Sequence, residues 1–239
     1  MNRRNTALLL TAAVIISSGG WGARAQAETI AMIGTGNVGS ALGQRFAELG
    51  HRIVYGAREP ERDDVRALVA RTGAGASAAT PSAAARGADI VVLALPWEVV
   101  EAVTRDLGSL AGVIVIDPTN PRTTAADGLR DYAFAGSNAE RVQAAAPDAF
   151  VVKAFSTLGV ETMLDPASAG GPVTVPLVGD DARAKRAVAG LIRGIGLEPL
   201  DVGPLRYARI IEGLHYLRYN AGQIGSSRIN YHLRLENAQ

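Results

Sequence analysis

A chain of 239 residues, 48% hydrophobic and 20% charged, can bury a sizeable core in one or two domains. Its formal net charge of +1 gives no basic excess for nucleic acid. With no cysteine, and with only His51, His215 and His232 scattered along the chain, it holds no metal-binding motif.

The first 27 residues read as an export signal. Arg3 and Arg4 form a positive start, Ala7 to Ile16 an apolar run, and Ala25-Gln26-Ala27 an A-x-A cleavage site. Ten helical residues rise about 15 Å, roughly half a bilayer core, so cleavage is expected rather than anchoring. The processed protein would be periplasmic, without a stable membrane span. The arginine pair leaves two routes open, ordinary export and twin-arginine export of a folded, cofactor-loaded chain. Removing the three leader arginines from a net +1 leaves −2.

Thr29 to Gly34 then reads as a buried strand, and Asn37 to Leu49 as a helix with Val38, Leu42, Phe46 and Leu49 on one face, stopped by Gly50. "RIVYG" is the second strand and Glu61 to Arg71 a helix. Thr80 and Pro81 open another helix, and Asp89 to Leu95 is a strand. Trp97 to Leu107 is helical, "GVIVID" a strand, and Pro121 to Pro147 a loop with a helix. "AFVVKAF" and "VTVPLVG" are strands, Asp181 to Ile195 a helix, and "LEPLDVG" a strand. A long helix follows Pro204, and its stripe at Ile211, Leu214 and Leu217 is core or the seam of a homodimer. The tail after Gly225 has no assignment. Alternating strands and helices specify an α/β parallel sheet, with ligands at the carboxyl ends of its strands.

The first of those ends carries G-x-G-x-x-G at Gly34, Gly36 and Gly39, between a strand and a helix. Gly34 permits the turn, Gly36 lets backbone approach a pyrophosphate, and Gly39 lets helix pack on strand. The helix start offers free N–H groups and partial positive charge to phosphates. Nineteen residues past Gly39, where an acid would select NAD, stands Arg58, with Arg62 one turn on. Two guanidinium groups, with the Thr35 hydroxyl, suit a 2′-phosphate, so the expected cofactor is NADP(H). Lys153 is the one charge in an apolar strand near the cleft. It is read either as support for the cofactor amide or an acceptor ring, or as a lysine extending from the strand end. His215 is read as a core or interface histidine rather than a catalyst, and Trp97 as packing that shapes the cleft.

The segments "IGTGNVGSALGQRFAELGHRIVYGAREPER", "LALPWEVV" and "DVGPLRYARIIEGL" resemble the NADP oxidoreductases that depend on the deazaflavin coenzyme F420. "VVKAF" resembles their bacterial dinucleotide-binding relatives, and also the reductase domain of six-transmembrane metalloreductases. The resemblance runs from about Thr29 to Gly222. It implies a Rossmann-type doubly wound sheet over residues 28–155 and a small α/β region over residues 156–239 closing the cleft. It also implies direct hydride transfer between nicotinamide and a small-molecule acceptor, deazaflavin F420 or a flavin. By position, the 2′-phosphate would meet Thr35, Ala57, Arg58 and Arg62, and the pyrophosphate Asn37 and Val38. Leu95, Pro96 and Trp97 would line the nicotinamide, with Asn120, Ala154 and Phe155 nearby. Ala57 stands where the archaeal enzymes have serine, and "AFSTLG" where they have a histidine-containing loop. Two other functions stay open, a reductase of imines or keto acids and a non-catalytic NADP-binding or redox-sensing protein.

Overall fold

A computed structural model describes residues 27–73, 75–225 and 229–234. The export-signal reading rests on the leader, and residues 1–26 lie outside the described residues. Among the described residues, no helix is long and apolar enough to cross a membrane.

The amino-terminal half runs β1 (Thr29–Ile33), α1 (Asn37–Glu48), β2 (Arg52–Gly56), α2 (Asp63–Thr72), β3 (Ser77–Ala79), α3 (Pro81–Ala85), β4 (Ile90–Leu93), α4 (Trp97–Asp106) and β5 (Ile114–Asp117). A short hairpin follows, β6 (Arg122–Thr124) and β7 (Arg130–Tyr132), and then α5 (Asn138–Ala145) and β8 (Phe150–Lys153). The remainder is α6 (Val160–Leu164), β9 (Thr174–Gly179), α7 (Ala182–Gly194), β10 (Glu198–Asp201) and α8 (Ala208–Gly225).

Eight strands form one sheet in the order β10-β9-β8-β5-β4-β1-β2-β3. The central strands are mostly apolar, and β4 (IVVL) is apolar and buried at every position, because both faces are covered. Along β1, Ile30 and Met32 enter one core with Leu42 and Phe46 of α1 and Val188 of α7. Ala31 and Ile33 enter the other core, with Val100 of α4, Val142 of α5 and Ile211 of α8. This alternation of side chains follows from the two-residue period of a strand. A side chain as fully buried as Phe46 contributes about 1.5–3 kcal/mol.

The expectation of a parallel sheet needs correcting at one edge, where β9 runs antiparallel to β8 with Val152 opposite Gly179. The connection explains it. The α6 helix has five residues, rises about 7 Å, and cannot recross the sheet, so the chain enters β9 from the end where β8 finished. The 13-residue α7 does recross, and β10 lies parallel to β9. One sheet therefore continues through residue 155 into the carboxyl-terminal region. The stripe on α8 divides: Ile211 is buried, whereas Leu217 is 61% exposed.

Thr80 does occupy the cap position of α3, but its side chain makes no capping bond. A full capping box instead starts α5. Ser137 Oγ accepts from the Glu140 N–H, and Glu140 Oε2 accepts from the Ser137 N–H. Ser137→Ala is expected to cost about 1 kcal/mol, read as a lower urea midpoint at unchanged slope.

Candidate active site

The glycine loop behaves as three separate constraints. Gly34 has φ +110°, and a Cβ there would lie 2.2 Å from the Ala94 carbonyl oxygen. A Cβ on Gly39 would lie 2.1 Å from the Gly34 carbonyl oxygen, so α1 sits directly on the strand end. Gly36 faces open space, with nothing within 4 Å. It also caps α1 without a side-chain bond, and the first turn holds no acid. The amino end of a 12-residue helix thus keeps its unpaired N–H groups for an anion arriving over Gly36.

Above this loop lies a cleft of about 440 Å³, lined by Gly34, Thr35, Gly36, Ala57, Arg58 and Arg62, and closed on the far side by Leu95 and Pro96. Arg58 is exposed and has no carboxylate partner among the described residues. Arg62 does have one: Nε and Nη2 donate to the two Asp64 oxygens at 2.5 and 2.8 Å. That bidentate bond, foremost, holds Arg62 above its ordinary pKa and Asp64 below its own. Glu61 and Asp63 face Arg66 instead. The loop therefore presents one cation ready for a phosphate and a second that would have to leave Asp64. The uncapped helix, the open Gly36 and Arg58, unpaired among the described residues, fit a phosphorylated dinucleotide.

Leu95 and Pro96 are shared with a second hollow of about 340 Å³, which Val38, Trp97, Asn120 and Phe155 also line. Four buried polar atoms here have no hydrogen-bond partner among the described residues: Trp97 Nε1, Asn120 Oδ1, Ser156 Oγ and His215 Nε2. Native structures leave few such atoms, so a cluster marks a place where a ligand completes the bonding. Wider hollows lie elsewhere, about 550 Å³ beside Leu197 and about 700 Å³ beside Gln143, and none of their lining residues carries an orphaned atom. Asn120 Nδ2 donates to the Ser156 carbonyl at 2.9 Å, which turns its oxygen loose. Phe155 has φ +62°, the one non-glycine residue in the left-handed region among those described. It is held there by burial and by an edge contact with Phe46 at 6.0 Å. Strain of about 1–3 kcal/mol at such a residue is typical of a ligand-facing turn.

The structure does not bring every predicted residue to the cleft. Asn37 opens α1 and Gly39 packs beneath the loop, and neither lines the two hollows described above. Ala154 is fully buried below the floor. Lys153 is also fully buried, and its ammonium is taken up by Asp117 Oδ2 at 2.9 Å, Glu212 Oε1 at 2.7 Å and the Thr119 carbonyl. Burial pulls the Lys153 pKa down, but Asp117 and Glu212 outweigh it and hold the lysine above its ordinary value. Glu212 is raised by burial and by Asp117, against the pull of Lys153. The cluster pins α8 to the sheet, and Tyr216 Oη donates to the Pro121 carbonyl beside it.

His215 thereby enters the second hollow. Burial, then Arg122, Arg218, Lys153 and Arg130, lowers its pKa to about 4, so the ring is neutral at ordinary pH. The unfolded chain binds this proton below about pH 6.5 and the folded chain below about 4. Stability should therefore fall as pH drops between those values and level off beneath them. Denaturant titrations of the parent and of His215→Gln should differ by that slope alone. The sequence offered one signal for His215: with Glu212 it places a second polar residue three positions along an apolar stripe.

Known proteins resemble this chain over most of its described length. Residues 29–121 match the family described as NADP oxidoreductase, coenzyme F420-dependent. The F420-dependent NADP reductase of Methanothermobacter thermautotrophicus is 31% identical over 208 residues, covering 80% of this chain and 88% of that one. A crystal structure from Arthrobacter sp. FB24, assigned to the F420-dependent NADP reductases, superposes with a TM-score of 0.78 at 30% identity, covering 87% of this chain and all of that one. Metalloreductase STEAP3 of Rattus norvegicus is 28% identical over 189 residues, 79% of this chain but only 36% of the relative, so the chain spans about a third of that protein's length. The glycine loop, the cleft above it and a near full-length relative at 31% identity agree: the chain belongs to the NADP oxidoreductases of the F420-dependent family.

Proposed function

We propose that this chain passes a hydride between NADP(H) and a flavin-like acceptor, deazaflavin F420 or a flavin. The observation that carries the reading is a pair of neighbouring hollows that share Leu95 and Pro96, one over the uncapped α1 start and Arg58, the other lined by orphaned hydrogen-bonding atoms. When bound, the nicotinamide supplies the hydride. The protein's part is placement. The α1 amino end with Gly36 holds the diphosphate, Thr35 and Arg58 hold the 2′-phosphate, and Asn120 Oδ1 takes a carboxamide N–H. Leu95, Pro96, Trp97 and Phe155 keep water from the reacting faces. Hydride transfer between rings needs contact distance and dryness more than an acid or base, and no catalytic triad is required.

The test is an acceptor panel. The chain is mixed with NADPH and, in turn, F420, FMN, FAD, ferric chelates and cyclic imines, and absorbance is followed at the nicotinamide band. Turnover with ring acceptors is the expected result. Turnover with imines alone would replace this reading with the imine-reductase one, and tight NADPH binding without turnover would replace it with a binding role.

A further inference from the structure

The sheet end away from the cleft holds the amino ends of the parallel strands, and Glu28 opens the backbone pairing there. Its N–H donates to His51 Nδ1 at 3.2 Å, and its carbonyl accepts from the Arg52 N–H at 3.0 Å. One residue on, the Thr29 N–H donates to Asp89 Oδ2 at 2.8 Å. Ala27 is exposed and lies outside any strand or helix, and β1 starts at Thr29. The Ala25-Gln26-Ala27 motif therefore ends at the residue before the paired backbone begins. One boundary comes from sequence and the other from hydrogen bonding, and they meet at the bond between Ala27 and Glu28.

The groups around that bond suit an ammonium better than an amide. Burial lowers the pKa of His51, which keeps its ring neutral. A neutral ring that accepts at Nδ1 carries its proton on Nε2. An amide N–H gives it a bond between neutral groups, whereas an ammonium gives a charge-assisted bond of about twice the strength. Neither Glu28 nor Asp89 has an ion-pair partner among the described residues. Burial first, then Asp89, raises the Glu28 carboxyl above its ordinary pKa, against the pull of Arg183. A positive charge on the Glu28 nitrogen eases that repulsion between carboxylates. A hollow of about 450 Å³ borders Glu28 and His51 and has Arg186 on its wall, with room for water on the remaining ammonium hydrogens.

We propose that the Ala27–Glu28 bond is a proteolytic processing site, and that the α-amino group released there docks on His51 Nδ1 as a fixed part of the fold. The reagent is water, and the catalyst is a signal peptidase that selects small residues one and three places before the cut. In the step, the peptide C–N bond breaks and the water oxygen bonds to the Ala27 carbonyl carbon. Ala27 leaves as a carboxylate. Both water hydrogens pass to the Glu28 nitrogen, which becomes an ammonium. Every described element follows the cut, so the sheet and both of its cores are kept. The new charge appears on an atom that His51 already holds.

The full-length chain is expressed in a bacterial host with its export system intact, and the first residue of the exported protein is read by intact mass and amino-terminal sequencing. It is expected to be Glu28. The α-amine is then labelled at neutral pH with an amine-reactive ester, and the label is mapped by mass spectrometry. Lys153 and Lys185 are the only lysines, so the α-amine stands out in the map. The comparison is a chain that starts at Ala27, which keeps every side chain of the fold but moves the amine one residue off the seat. The amine of the Glu28 start is expected to label about tenfold more slowly, the factor that one hydrogen bond to a charged group supplies. The exported His51→Ala chain should lose that protection. The proposal is overturned if the exported protein keeps its leader or starts at another residue. It is also overturned if the two starts label at equal rates, or if a folded His51→Ala chain labels as slowly as the parent.

Discussion

Arg58→Ala is expected to weaken NADPH binding by about tenfold to a hundredfold and to leave NADH binding nearly unchanged. Just past the end of β2, the backbone places residue 58 on the rim of the 440 Å³ cleft. An acid here would bond a ribose hydroxyl and repel a phosphate, whereas a guanidinium does the reverse. Among the described residues Arg58 has no ion-pair partner to give up, so its attraction is available to the ligand. A hydrogen bond to a charged group contributes about 1.5–3 kcal/mol, which sets the expected factor. Arg62 should matter less, because its bidentate bond to Asp64 competes with the phosphate. Asp64→Asn should accordingly tighten NADPH by a small factor. Calorimetry with both coenzymes decides the matter: equal losses for NADPH and NADH in Arg58→Ala would remove the phosphate assignment.

What the sequence disclosed follows from how local each cause is. The β1–α1–β2 unit is specified by neighbours in sequence: an apolar run, glycines at fixed spacing, and a helical face at Leu42 and Phe46. Each of these was legible, and so was Arg58. The hairpin of β6 and β7 was not, because "RTT" and "RDY" are polar, short and largely exposed and carry no alternation. The antiparallel entry of β9 depends on the shortness of α6, and "VETML" does not announce itself as a stop. Lys153 shows a further limit. Its strand position pointed toward the cleft, but its partners Asp117 and Glu212 lie 36 and 59 residues away, and only tertiary structure brings them together. The same distance hid His215, whose place in the hollow is set by Glu212 one turn before it on α8.

Lys153→Met is therefore expected to destabilise the fold by about 3–5 kcal/mol, because it leaves Asp117 and Glu212 buried without a cation. Both carboxylates are fully buried, and the Glu212 Oε2 atom already lacks a hydrogen-bond partner among the described residues. Removing the lysine would force Glu212 to take up a proton or α8 to move outward. Glu212→Gln alone should cost less, since burial and Asp117 already raise the Glu212 pKa and the amide keeps the length of the side chain. The double variant Lys153→Met with Glu212→Leu should regain part of the loss, because apolar groups of similar volume can replace a buried ion pair. Denaturant midpoints for the three variants test the order, and NADPH titration of whichever variants stay folded tests the role. If the lysine is a structural tie, affinity for NADPH changes little in the double variant. A folded double variant that has lost NADPH would return Lys153 to the cofactor site, and a single variant as stable as the parent would mean that the two carboxylates do not share a buried charge at all.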